Sequence, residues 1–218
     1  MKALTSAEAA ERTRIVLGAS ILLWLGALMA WVFDADAAML QYFETSLFFG
    51  RLRPVFEWFT DWGTSVYYVF FIALLVYGAR YKHALFTRAA VAYLYAQVLG
   101  TFLLVRLLKI GCGRPRPDVA AVHDALCQAP SLDHAFNSFP SSHAANAAVG
   151  AVFVFLLLRS RIAAWVALTA ALFMALARIA IGEHYVSDVL AGLALGVAIA
   201  AVAMRVYLLP RWKAIETA

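Results

Sequence analysis

Three short groups of residues in this chain carry side chains suited to holding and attacking an anion. The first is Phe139-Pro140-Ser141-Ser142-His143, set directly before an apolar run over 144–158. Ser141 is a natural N-cap, because its hydroxyl can accept one of the free N–H groups of the first turn. A histidine and two hydroxyls would then stand at the positive end of a helix, where backbone N–H groups and the helix dipole hold anions. The second group is Arg178 with Gly182-Glu183-His184-Tyr185-Val186-Ser187-Asp188. His184 and Asp188 are four apart, so on a helix they would share one face. A carboxylate that takes the Nδ1 proton leaves Nε2 as a nucleophile or base. The guanidinium fork of Arg178 suits phosphate oxygens. The third group is Lys109-Ile110-Gly111-Cys112-Gly113-Arg114-Pro115-Arg116-Pro117, with Arg106 just before it. Taken singly, each has a plainer reading: a capped helix start, a surface His–Asp pair beside a snorkelling arginine, and a basic loop drawn to anionic headgroups.

The elements that must position these groups are membrane spans. The chain has 218 residues, of which 64% are hydrophobic and 14% charged, with mean hydropathy +0.79. A soluble domain has about 45–50% apolar and about 25% charged residues. A span needs about 20 apolar residues, and six runs qualify, near 15–33, 62–79, 86–108, 141–158, 162–181 and 185–209. The expected architecture is an all-α bundle of six transmembrane helices, forming one membrane-embedded domain over 1–218. The first run is longer than a signal-peptide core and reads as an uncleaved span, although Ala35-Asp36-Ala37 resembles a cleavage site. The segment 34–61 reads either as helices lying in the outer interface, broken at Pro54, or as an ordinary packed loop.

Orientation follows from lysine and arginine. Lys2, Arg12, Arg14, Arg80, Lys82, Arg88, Arg159, Arg161, Arg205, Arg211 and Lys213 all fall on one side if the spans alternate. The positive-inside rule makes that side cytoplasmic. Both termini are then cytoplasmic, and all three polar groups lie at the external face, periplasmic if the source is bacterial. The net charge of +5 thus reports topology, and no basic stripe suggests nucleic acid.

On one face, the three groups supply cations, a helix N-terminus, a His–Asp pair and a second histidine. That set fits phosphoryl transfer without a metal: cations neutralise the equatorial oxygens, one histidine attacks, and another protonates the leaving oxygen. The five histidines show no metal-ligand spacing.

The spacing Lys109-x6-Arg116-Pro117, then Pro140-Ser141-Ser142-His143, then Arg178-x5-His184-x3-Asp188 resembles the three-part signature of the type 2 phosphatidic acid phosphatase superfamily. Its members include lipid phosphate phosphatases and bacterial undecaprenyl-diphosphate, phosphatidylglycerophosphate and lipid A phosphatases. The resemblance covers residues 109–188. It implies that Lys109, Arg116 and Arg178 hold the phosphate, with Ser141 and the backbone at Ser142 as further donors. It implies His184 as the nucleophile forming a phosphohistidine, His143 as the acid for the leaving oxygen, and Asp188 as the group that orients His184. No cofactor or metal is implied. Two positions depart from the pattern: Ser142 stands where the family usually has glycine, and Ala177 where it usually has serine.

The expected activity is hydrolysis of a lipid phosphate or diphosphate at the external leaflet, with undecaprenyl diphosphate the first candidate. Phosphatidylglycerophosphate, phosphatidate and lipid A are rivals. A lipid phosphotransferase with the same site and a non-catalytic lipid-binding protein are the alternatives in kind. Arg114 is outside the signature and is a candidate contact for a second phosphate. Cys112 and Cys127 are either a disulfide, if the compartment is oxidising, or two free thiols.

Overall fold

The computed structural model describes residues 3–119 and 126–217. Lys2 and His123 lie outside them. The described residues are helical, with no strand beyond one isolated bridge between Ala3 and Leu158. The helices are α1 (Ser6–Val32), α2 (Ala35–Thr45), α3 (Leu47–Trp62), α4 (Ser65–Arg80), α5 (Ala84–Tyr95), α6 (Val105–Cys112), α7 (Ser142–Leu157), α8 (Arg161–Ala180), α9 (Val186–Ala203) and α10 (Leu209–Glu216). A π-helical stretch, Ala96–Leu104, joins α5 to α6, and another, Met204–Leu208, joins α9 to α10.

Five helical stretches are long and apolar enough to cross a membrane: α1, α3 with α4, α5 through α6, α8, and α9 through α10. Their outward faces carry exposed Leu, Ile, Val, Phe and Trp side chains, such as Leu22, Phe102, Trp165 and Val206. That surface suits hydrocarbon. The fourth expected span, α7, is shorter, with 16 residues, or about 24 Å at 1.5 Å per residue. It is apolar all round and buried nearly all round, as a central helix should be. The bundle is therefore five long helical stretches around a short axial helix.

Two glycines let α9 lie against α7. A Cβ on Gly192 would fall 2.4 Å from the carbonyl oxygen of Ser141, and one on Gly196 2.3 Å from that of Ala145. The π-helical stretch before α6 faces α7 on another side. Gln97 and Thr101 turn inward there, and Thr101 Oγ1 and Tyr68 Oη both reach Asn146 Oδ1, at 3.2 and 2.8 Å. Gln97 Nε2 donates to the Asn146 carbonyl at 3.3 Å. These bonds satisfy polar groups that hydrocarbon could not, and they fix α7 against the helical stretch whose last turn carries Lys109.

In the segment 34–61 the break does not fall at Pro54. Pro54 lies inside α3, and the break falls at Ser46, whose backbone is extended. Tertiary packing carries α3 through the proline: Phe56 is buried against Ala177 and Ile181, with Phe49, Leu52 and Phe173 around them. Both ends of the chain meet at one end of the bundle. Ser6 donates through its N–H and its hydroxyl to Glu216, at 2.9 and 2.5 Å, and Leu4 N–H donates to Leu157 O. The three polar groups lie at the other end, where α6 and α8 finish and α7 and α9 begin.

Candidate active site

The turn between α8 and α9 builds the His–Asp pair. Gly182 adopts φ +76°, a left-handed conformation open to glycine, and the chain reverses there. α9 begins at Val186, with Tyr185 as the N-cap residue. His184 therefore precedes the helix, which corrects the expectation that it shares a helical face with Asp188. The two still meet. Asp188 occupies the third helical position, and its Oδ2 accepts the Tyr185 N–H at 3.0 Å. His184 Nδ1 lies 3.4 Å from the same oxygen. Ser138 Oγ donates to it at 2.5 Å. With Nδ1 engaged in this way, Nε2 is left for the cleft that the His184 ring lines.

Both members of the pair are buried, His184 at 1% and Asp188 at 0% exposure. Burial holds the His184 pKa well below the ordinary 6.5; the charges of Lys109 and Arg178 push the same way, and the bond to Asp188 opposes them. The ring is therefore neutral, the form a nucleophile needs.

Arg114 answers the charge of Asp188 from the other side. Its Nη1 reaches Asp188 Oδ1 at 2.5 Å and Ser187 Oγ at 2.7 Å. Its Nη2 reaches Asp36 Oδ2 at 2.8 Å, and the guanidinium stacks on the Tyr185 ring at 4.3 Å. Burial opposes the charge on Arg114, but Asp188 and Asp36 outweigh it and raise its pKa. Arg114, the candidate contact for a second phosphate, is 4% exposed, and its guanidinium is engaged by Asp188, Ser187, Asp36 and Tyr185. Asp36 on α2 completes the arrangement by accepting from Ser187 N–H at 2.8 Å and Ser187 Oγ at 2.5 Å.

Two of the expected phosphate-holding cations, Lys109 and Arg116, line a cleft of about 140 Å³ together with Arg106, His134, Asn137, Ser142, His143 and His184; Arg178 is joined to it through Glu183. Lys109 Nζ donates to the carbonyls of Asn137 and Ser138 at 2.6 and 3.0 Å. Arg116 is clasped by His134, through the carbonyl at 3.2 Å and the ring Nε2 at 3.1 Å. Glu183 Oε2 bridges Arg116 Nη1 and, at 3.2 Å, Arg178 Nη2. The Nε of Arg178 is buried without a partner.

α7 opens as its sequence requires. Ser141 caps it by accepting the Ala144 N–H. Ser141 is fully buried, and its own N–H donates to the Asp188 carbonyl at 2.9 Å. It thus ties α7 to α9. Ser142 and His143 are the first two helical residues, half-buried and on the cleft. Their N–H groups stand where a helix provides no acceptor of its own.

Cys112 and Cys127 form a disulfide. Around it, Gln128 N–H donates to Cys112 O and Ser131 N–H to Ile110 O. Gly113, at φ +58°, turns the chain where a Cβ would strike the Ala129 carbonyl at 1.9 Å. The described part of the 109–140 loop is thereby folded back onto the end of α6, which brings His134, Asn137 and Ser138 over the cations.

Four residues at the site carry roles that the sequence did not assign. Asp36 lay in a stretch resembling a cleavage site. Ser138 stood one residue before the second motif. His134 lies outside all three groups. Glu183 was inside the third motif, next to the nucleophile candidate, and its charge among so many cations was the one available signal.

A neutral buried histidine backed by an aspartate, beside cations and a helix N-terminus at one end of an apolar bundle, defines a membrane protein built to hold an oxyanion. The chain belongs to the PAP2 superfamily, whose family model matches residues 86–212. It is similar to the lipid A 1-phosphatase of Rhizobium johnstonii, with 36% identity over 64% of this chain and 62% of the relative. The lipid A 1-phosphatase of Rhizobium etli is 34% identical over 66% of this chain and 67% of its own length. A probable diacylglycerol pyrophosphate phosphatase 1 of Schizosaccharomyces pombe is 32% identical over 63% and 61%. The matches thus span between 61% and 67% of the curated relatives. The crystal structure of a transmembrane PAP2 type phosphatidylglycerolphosphate phosphatase from Bacillus subtilis has the same fold. It matches at TM-score 0.60 and 24% identity, over 88% of this chain and 94% of that one.

Proposed function

We propose that this protein hydrolyses the phosphate of a membrane lipid through a phosphohistidine on His184. The observation that carries the reading is the buried His184–Asp188 pair, set on a cleft that also holds Lys109, Arg116 and His143. Arg178 stands beside that cleft, joined to Arg116 through Glu183. In the first step the Nε2 lone pair of His184 attacks phosphorus while the bond to the lipid oxygen breaks. His143 gives that oxygen its proton. In the second step water attacks the phosphohistidine, His143 takes the water proton, and inorganic phosphate leaves with His184 restored. Lys109, Arg116 and Arg178 neutralise the phosphoryl oxygens, together with the N–H groups of Ser142 and His143. Asp188 holds the ring and its tautomer.

The site faces the external side of the membrane, since the opposite end of the bundle carries the lysine- and arginine-rich loops. Of the candidate substrates, the 1-phosphate of lipid A is favoured by the two rhizobial relatives, whose names give that activity. A lipid diphosphate such as undecaprenyl diphosphate is the second reading. Arg106 favours it, an exposed cation on the rim of the same cleft that could meet a second phosphate in place of Arg114.

The test is phosphate release from a panel of these lipids by the purified protein in detergent, with and without a chelator. Release from at least one lipid, unaffected by the chelator and absent in His184→Ala, is the expected result. Release that survives in His184→Ala would refute the mechanism.

A further inference from the structure

The phosphate-holding arginines already share an anion. Glu183 Oε2 bonds both Arg116 Nη1 and Arg178 Nη2, and these two cations come from different parts of the chain. The backbone of Glu183 is anchored to the same pair. Its N–H donates to the Arg178 carbonyl at 3.2 Å, and its own carbonyl accepts from Arg116 Nη1 at 3.3 Å. The side chains differ in their access to water. Both arginine side chains are 8% exposed and that of Glu183 is 40% exposed.

We propose that Glu183 is a built-in competitor of phosphate. Its carboxylate takes the guanidinium donors that a phosphoryl oxygen needs, so the two anions exclude one another on the arginine pair. Sharing those donors would place like charges within hydrogen-bond distance, which disfavours both charged forms together. Glu183 is the partner able to move: its carboxylate reaches water by side-chain rotation, while its anchored backbone and the buried arginines stay in place. The competition weakens the hold on inorganic phosphate more than on a transition state that also bonds covalently to His184. Binding lost equally from ground states costs little in turnover and speeds product release. This inference rests on reading Arg116 and Arg178 as phosphate-holding groups, and it adds a determinant of phosphate affinity to that reading.

The test is equilibrium binding of inorganic phosphate to the full-length protein in detergent, comparing wild type with Glu183→Gln and Glu183→Ala. Removing a charge-assisted competitor should tighten phosphate binding in both variants by about tenfold. With a lipid substrate, both should show a lower KM and inhibition by less phosphate. Unchanged or weaker phosphate binding in the variants would overturn the proposal, because Glu183 would then merely hold the arginines in position. Isotope-edited infrared spectra of the wild type give a check that needs no variant to fold. Adding phosphate should shift a glutamate carboxylate band away from its guanidinium-paired position, and no shift on saturation counts against the proposal. Tightened binding in a protein that releases phosphate from none of the lipids would sustain the competitor and refute the lipid phosphatase reading.

Discussion

Arg114 reaches Asp188 at 2.5 Å through Oδ1, the carboxylate oxygen that His184 does not use. The aspartate is thus held from two sides: by a histidine facing the cleft, and by an arginine facing the protein interior and Asp36. A fully buried carboxylate needs such company, since an unpaired charge there would cost several kcal/mol. Arg114 lies outside the family signature, and its contact with the catalytic pair is through Asp188.

Replacing Arg114 by alanine should therefore destabilise the protein and lower kcat, with little effect on KM. Breaking a buried pair by removing one partner costs roughly 3–5 kcal/mol. The loss should appear as a lower unfolding temperature in detergent. Asp36→Asn should show a weaker form of the same effect. If Arg114→Ala instead raised KM for a lipid diphosphate and left a monophosphate unaffected, Arg114 would be a substrate contact after all.

The catalytic pair predicts a graded pattern. His184→Ala should lose phosphate release by roughly 10⁴-fold or more, because the attacking atom is gone. Asp188→Asn keeps the shape but offers His184 a different hydrogen-bond pattern, and a loss on the order of 10²–10⁴ is expected. His143→Ala should spare substrates with good leaving groups, such as an aryl phosphate, more than lipids. Single-turnover assays with both substrate types would test this, and an equal loss on the two would remove His143 from the role of acid.

The neutral His184 sets a pH dependence. Its pKa is lowered below 6.5 in the folded protein, first by burial. The unfolded chain therefore binds a proton on acidification that the native one refuses. The stabilising contribution is fully present above about pH 6.5 and is lost as pH falls from there through the folded-state value. Activity limited by His184 should persist well below pH 6.5, so the acidic limb of kcat/KM should lie below that of free histidine. A limb centred at 6.5 or above would mean that the ring is solvated and the site open.

How much of this was legible beforehand divides along physical lines. The spans announced themselves, because hydrocarbon demands long apolar runs. His143, Lys109, Arg116, Arg178, His184 and Asp188 stood out because polar groups are costly near a membrane. The pairing of His184 with Asp188 was readable from their spacing, and the last apolar run from its start near 185. The spacing alone put His184 on the helix, where it in fact precedes the N-cap. Tyr185 as a capping residue gave no signal, and the turn depends on Gly182. Ser141 was readable as a cap, while its bond to the Asp188 carbonyl depends on how α7 and α9 meet. Asp36 could not be placed from sequence, since it is about 150 positions from Ser187 and their contact is purely tertiary. Pro54 misled because propensity is local, and the packing of Phe56 against Ala177 is not.

The glycines of α9 carry the final prediction, which links bundle packing to the site. Gly192 sits where a Cβ would meet the Ser141 carbonyl at 2.4 Å and Gly196 where one would meet Ala145 at 2.3 Å. These are backbone contacts, so no side chain can swing aside to relieve them. Gly192→Ala should push α7 away from α9 by a fraction of an ångström or more, costing about 1–3 kcal/mol as overpacking does. The displacement falls at Ser141, whose N–H holds the Asp188 carbonyl. Catalysis should therefore fall further than at Gly196, one turn deeper, although both variants lose similar stability. Unfolding temperatures and kcat measured on the two side by side would decide it. Equal losses of activity would mean that the α7–α9 contact supports the fold without tuning the site.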